Sequence, residues 1–349
     1  MTSQMAKEIA EQPAALQLTI DALRPLHGEV RDLARSTDRV LLFGRGSSDT
    51  AATYGRYLLE AVSGISAAMG APSIATLYRS SLDLSSTLVV ICSQSGHTAE
   101  LLEVNDWAKG CGAKVIAVTN ESNSPLAEVV DLALVTHAGA ELAVPATKSH
   151  TTCLLTLAEL ATSLTAATSR RYHEMVVAID QTPDAVKTML GHAEQAQALA
   201  IRYGTSTAWC VSGRGFTYPT ALELALKIEE TTSVPCIGLS QADFQHGPVA
   251  VFGPHRPLIV AAASSGPSLP GLRALVAEAR ARDAEVVVLG GDDDLRAAAT
   301  SSIAGPNLGE AVAPIALIVS GQLLAEALSR STGRNPDLPA GLSKVTQTT

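Results

Sequence analysis

The chain is an approximate duplicate of itself, and that constrains its fold more than any other feature. "LLFGRGSSDTAATYGRYLLEAVSGIS" (41–66) returns as "CVSGRGFTYPTALELALKIEETTSVP" (210–235), with Gly-Arg-Gly at 44–46 and again at 213–215. "VVICSQSG" (89–96) returns as "IVAAASSG" (259–266), and "AKVIAVT" (113–119) as "AEVVVLG" (284–290). The offsets are 169, 170 and 171 residues, and each match lies at a strand end. Unbroken apolar runs like those in "VVICSQSG" and "AEVVVLG" are strands buried on both faces, as in parallel sheets. The expected architecture is therefore α/β: two copies of one unit, each a parallel sheet between helices in three α/β/α layers.

This pattern divides the 349 residues into a helical segment at 1–35, a first unit at 36–168, a helical connector at 169–204 broken near Thr182-Pro183, a second unit at 205–332, and a Pro/Gly-rich tail at 333–349. Each unit is long enough for its own core. A formal charge of −9 argues against broad nucleic-acid binding. No apolar run approaches the roughly 20 residues that span a bilayer, and "MTSQMAKEIAEQPAALQ" lacks the apolar core of a signal peptide. The expectation is a cytoplasmic protein with no nucleic-acid or membrane partner. The five cysteines, Cys92, Cys111, Cys153, Cys210 and Cys236, show no paired metal-ligand spacing and read as buried reduced thiols, so neither metal nor cofactor is expected.

The chemistry concentrates in loops at strand ends. In "LVVICSQSGHTAELLEVNDWAKG" (88–110) an apolar strand turns abruptly into Ser93-Gln94-Ser95-Gly96-His97-Thr98 and resumes as a helix. Ser47-Ser48 follows the unit's first strand, and in a right-handed parallel sheet both loops emerge on one edge. Hydroxyls, a Gln amide, backbone N–H groups and a helix dipole form a neutral donor basket for a phosphate, the dipole adding about 0.5–2 kcal/mol when partly buried. The competing reading is that Ser93 or Ser95 merely caps the helix beginning near Thr98. "FGRGSSD" supplies only Gly-x-Gly, and the Walker pattern is absent, so nucleotide chemistry is not favoured.

The second copy has lost that basket: "AASSG" stands where Ser-Gln-Ser-Gly stood, and Phe216-Thr217 where Ser47-Ser48 stood. Its first helix, "ALELALKIEE", places Glu223, Lys227 and Glu230 on one face, followed by a solitary His246 in "QADFQHGPVA". One reading is a solvated ion-pair ladder. The other is a proton-shuttling group acting on a phosphorylated small molecule.

Six stretches taken in order, "MAKEIAEQPAAL", "SQSGHT", "AVPATKSHTT", "ALELALKIEE", "QHGPVA" and "LPAGLSKVT", resemble the SIS (sugar isomerase) domain family. The likeness is greatest to the isomerase half of glucosamine-6-phosphate synthase and to the stand-alone amino-sugar-phosphate deaminases, and it covers nearly the whole chain. It implies two tandem SIS domains. Ser47, Ser48, Ser93, Gln94, Ser95 and Thr98 would hold the sugar phosphate, and Val144 would contact the substrate. Glu230 would move a proton between C1 and C2 of the open chain, with Lys227 and Glu223 orienting hydroxyls and the base. His246, supplied by the neighbouring subunit of a homodimer with shared sites, would assist ring opening. Lys344 would lie over the ketose carbonyl, where an imine or a positive charge stabilises the intermediate.

Two positions depart from the synthase pattern: His97 stands where Glu is frequent, and Ala146 replaces a common serine. His97 either contacts the substrate or faces solvent. The synthase also carries a glutaminase domain, for which this chain has neither room nor a cysteine before Cys92. Without that ammonia source the expected reaction is deamination of glucosamine 6-phosphate to fructose 6-phosphate and ammonia. Alternatives are a fructosamine-6-phosphate deglycase, a plain phosphosugar isomerase and, in a different class, a non-catalytic sugar-phosphate sensor.

Overall fold

In the computed structural model, which describes residues 2–253 and 255–344, the apolar runs of both copies form strands. The first copy contributes β1 (Arg39–Phe43), β2 (Ser66–Met69), β3 (Thr87–Cys92), β4 (Lys114–Thr119) and β5 (Leu132–Val135). The second contributes β6 (Trp209–Gly213), β7 (Cys236–Ser240), β8 (Leu258–Ala262), β9 (Val286–Gly290) and β10 (Ser301–Ile303). The first sheet has the order β2-β1-β3-β4-β5 and the second β7-β6-β8-β9-β10, so each follows the doubly wound order 2-1-3-4-5. Every pairing within the two sheets is parallel. Every residue of β3 is buried, as is every residue of β8, which is why both read as continuous apolar runs.

The duplication extends to individual hydrogen bonds. Glu60 accepts from the amide of Ala67 at 3.4 Å, and Glu229, 169 positions on, accepts from the amide of Cys236 at 3.1 Å. Asp131 accepts from the Val115 amide at 2.9 Å, and Thr300 takes the same place beneath the Val286 amide at 3.0 Å. The turn after the first strand needs glycine in both copies: a Cβ on Gly44 would stand 2.6 Å from the Ser48 carbonyl carbon, and one on Gly213 2.6 Å from that of Thr217.

Two compact bodies carry the two sheets, and neither is continuous in sequence. Among the described residues, the first sheet belongs with residues 14–141, 148–180 and Ser343-Lys344; the second belongs with residues 2–13, Leu142–Thr147 and the described part of 181–342. In the first body Val89, Ile91, Val115 and Ala117 pack against Leu101, Val104 and Ala108 of the helix Ala99–Gly110. The helix Lys148–Ser163 is buried at all 16 positions, as befits a central helix, and packs on Ser47–Leu58. In the second body Val260, Val286 and Val288 meet Leu272, Leu275 and Val276 of the helix Leu269–Ala281, while Tyr218–Thr232 packs against Ala313–Ser331.

The N-terminal helix Gln4–Ala10 is tied into this second body by polar groups. Asp337 caps it, accepting from the amides of Gln4 at 2.9 Å and Met5 at 2.8 Å. Buried Glu8 accepts from the amides of Leu142 at 2.5 Å and Ala143 at 3.3 Å. Residues 170–203 form three helices, Arg170–Asp180, Thr182–Leu190 and Ala193–Tyr203. Among the described residues, no helix is long and apolar enough to cross a membrane.

Candidate functional site

In the first body the two hydroxyl-bearing loops follow β1 and β3, which are adjacent in the sheet while their neighbours run off in opposite directions. That is the switch point of a doubly wound sheet, where strand carboxyl ends and helix N-termini leave a crevice for ligands. Ser47 and Ser48 open the helix Ser47–Leu58, whose N-cap is Gly46 at φ +55°. Both serines are half-buried. Ser93 is buried and its Oγ accepts from the Gly96 amide at 3.2 Å; Ser95 Oγ accepts from the His97 amide at 3.3 Å. These are turns within the loop and do not cap the helix. Thr98 occupies the N-cap of Ala99–Gly110 and its side chain makes no capping bond, so simple capping does not account for the cluster. Gly96, at φ +64°, is required because a Cβ there would meet the side chain of Ser124. Gln94 and Thr98 are half-buried and His97 is exposed.

Two contacts around this crevice went unnoticed in the sequence. Arg45 donates through Nε at 2.8 Å and Nη2 at 2.6 Å to the carboxylate of Glu100, a buried residue in the first turn of Ala99–Gly110. This fork joins the loop after β1 to the loop after β3. His150 Nδ1 lies 3.1 Å from the Ser47 carbonyl, which can only accept, so that nitrogen carries the proton. His150 and Lys148 are both buried on the helix Lys148–Ser163, inside "AVPATKSHTT". The motif was visible, but nothing in its spacing revealed which strand end it would face.

A third unanticipated group is Glu141, whose side chain is fully buried. It accepts from the Ser149 amide at 3.1 Å, the Ser149 hydroxyl at 2.6 Å and Lys344 Nζ at 2.5 Å. Burial alone would push its carboxyl up, but the Lys344 ammonium, with the hydrogen bonds from Lys344 and Ser149, outweighs burial and holds it below the usual glutamate range. Lys344 thus sits in the first body. The rest of the chain's end, residues 345–349, lies outside the described residues.

The helix Tyr218–Thr232 of the second body carries Glu223, Lys227 and Glu230. The side chains of Glu223 and Lys227 are 0% and 1% exposed, which excludes a solvated ladder; that of Glu230 is 21% exposed. Lys227 Nζ lies 3.6 Å from Glu223 and pairs directly with Glu230. One turn earlier on the same face, Thr220 is buried with its hydroxyl unpartnered among the described residues. His246 is exposed on the turn after the short helix Gln241–Phe244. Val144 is half-buried, its amide donating to the Asp337 carbonyl at 2.9 Å. Of the cysteines, four are buried and Cys111 is partly exposed. The Cys92 thiol, hydrogen-bonded to Cys153 and buried, is pushed well up.

Residues 33–163 and 209–319 match the SIS domain family. A glutamine–fructose-6-phosphate aminotransferase [isomerizing] from Pyrococcus horikoshii is 34% identical over 97% of this chain. The chain spans 57% of that relative's length, little more than half. Among solved structures, the C-terminal domain of the glucosamine-fructose-6-phosphate aminotransferase of Francisella tularensis superposes with a TM-score of 0.90 at 23% identity, covering 97% of this chain and 99% of that one. A glucosamine-6-phosphate deaminase from Thermotoga maritima superposes at 0.75 with 24% identity, covering 99% of this chain and 100% of that one.

Proposed function

Since this chain belongs to the SIS domain family, we propose that it is a phosphosugar aldose–ketose isomerase, and that its specific reaction is deamination of glucosamine 6-phosphate. The observation that carries the reading is the ladder on Tyr218–Thr232. Glu223 and Lys227 are withdrawn from water and Glu230 is left at the wet end, paired with Lys227. Burying two charges is costly and makes a poor stabilising device, whereas an oriented carboxylate with access to solvent suits proton transfer. The donor-lined switch point of the first sheet, with Ser47, Ser48, Ser93, Gln94, Ser95 and Thr98, supports phosphate as the handle.

In this reading Glu230 removes the C2 proton of the open-chain aldose and returns it to C1. The product is a 2-imine with C1 reduced to the hydroxymethyl level. Water adds to that imine, ammonia leaves, and fructose 6-phosphate remains. Lys227 and Glu223 hold Glu230 in place, Lys344 polarises the group at C2, Val144 contacts the sugar, and His246 of a second copy assists ring opening. The deaminase direction draws on the likeness to the Thermotoga maritima protein, which bears that name and is matched from end to end.

The test is ammonia release and ketose formation across glucosamine 6-phosphate, fructosamine 6-phosphates and unsubstituted aldose 6-phosphates. Stoichiometric ammonia and fructose 6-phosphate from glucosamine 6-phosphate is the expected result. Ammonia from none, with aldose–ketose conversion of a plain sugar phosphate, would overturn the deaminase assignment and leave the isomerase. Tight binding with no turnover on any of them would overturn both.

A further inference from the structure

We infer that Glu141 is a positioning residue that seats the C-terminal tail by gripping Lys344. Three donors converge on this one carboxylate: the Ser149 amide near the start of the helix Lys148–Ser163, the Ser149 hydroxyl, and Lys344 Nζ. Its side chain is completely buried and that of Lys344 is 23% exposed, so the pair is largely removed from competing water. A buried carboxylate that lost the lysine would lose the positive charge that offsets its desolvation cost. The seat therefore favours the tail in place. An unseated lysine is free to sample many rotamers and positions, and fixing it beforehand removes that entropy from the reaction step. Glu141 does not touch substrate in this scheme. It acts through Lys344 and lies 203 positions away in sequence. Ser149, whose hydroxyl and amide both point at the same carboxylate, fixes Glu141 in turn.

The role of Lys344 in turnover rests on the proposed function, but its seating does not, and the two are separated by using two readouts. The first is trypsin cleavage after Lys344, followed by intact mass as loss of residues 345–349. Cleavage tracks the population of the unseated tail. Glu141→Gln removes the charge at nearly the same volume and should speed this cleavage about tenfold or more, the loss expected for a hydrogen bond to a charged group. Lys344→Arg keeps a cation and the cleavage site and should stay within about threefold of the parent.

The second readout is turnover of glucosamine 6-phosphate, where Glu141→Gln should lower kcat about tenfold and change KM less than about twofold. If Glu141→Gln does not fold, as judged by circular dichroism, Glu141→Asp draws the carboxylate back by one carbon and is read in the same way. Unchanged cleavage after Lys344 in whichever of these variants folds would overturn the seat, whatever the enzyme turns over. Faster cleavage in a protein that processes no sugar phosphate would uphold the seat and remove the proposed function instead.

Discussion

At the scale of single residues, burial divides the charged groups by what they can do. Glu223 and Lys227 are sealed, and Glu230 is the member of the ladder that water reaches. Glu230→Gln, nearly isosteric, should leave binding of sugar phosphates intact and lower kcat by roughly 10²–10⁴-fold, the usual contribution of a positioned base. The fall should appear in kcat more than in KM, because the proton moves only in the transition state. Near-parental kcat would shift suspicion to Glu223.

Glu141 carries a pH signature. Its carboxyl is held below the usual range in the folded chain and returns to about 4.3 on unfolding. Between those values the unfolded state binds the extra proton, so stability falls as the pH drops through that window and the contribution is complete above it. Melting curves of the parent and Glu141→Gln should therefore differ by a constant amount above about pH 5 and draw together as the pH falls through the ordinary glutamate range and on below it. A gap that stays constant through the acid range would mean that Glu141 is not the titrating group.

At the scale of elements, the sequence revealed what lies within one strand–turn–helix and missed what is joined across such units. Strand β3, the turn at 93–98 and the helix after it could be read because the period changes from a continuous apolar run to an amphipathic pattern over a few residues. The face shared by Glu223, Lys227 and Glu230 followed from helical spacing, but its burial did not, since that depends on the helix Ala313–Ser331 packed beside it. The Arg45–Glu100 fork joins residues 55 apart and the Glu141–Lys344 pair residues 203 apart, and no local pattern encodes either.

The fork makes a prediction of its own. Arg45 is half exposed and Glu100 is buried, so Arg45→Ala should cost about 1–2 kcal/mol of stability, between the values for surface and buried pairs. By loosening the two loops against each other it should raise KM for sugar 6-phosphates about five- to tenfold with little change in kcat. Ser93→Ala combined with Thr98→Ala should weaken the same binding, by calorimetry, through loss of donors. If Arg45→Ala leaves KM unchanged while the double variant raises it, the fork is structural only.

At the scale of the whole molecule, duplication has produced two sheets of one topology with different equipment. The first keeps hydroxyls at its switch point; the second, with Phe216-Thr217 and "AASSG" at the equivalent turns, bears the ion ladder on the helix that follows. His246 is exposed on a turn, where a second copy of the chain could receive it. If each site takes Glu230 from one subunit and His246 from the other, two inactive chains can complement. A hybrid dimer of one Glu230→Gln chain and one His246→Ala chain contains one site with both lesions and one site with neither. At equal mixing, half of the dimers are hybrids and each has one of its two sites intact, so activity should recover to about a quarter of the parental value in an isologous dimer. If the two residues served the same site from one chain, every site in every dimer would carry a lesion, and mixing would recover nothing. The measurement is turnover after subunit exchange, with exchange itself followed by native mass spectrometry on chains of different mass. Hybrids present at the statistical fraction, with activity no higher than that of either variant alone, would place His246 outside a shared site.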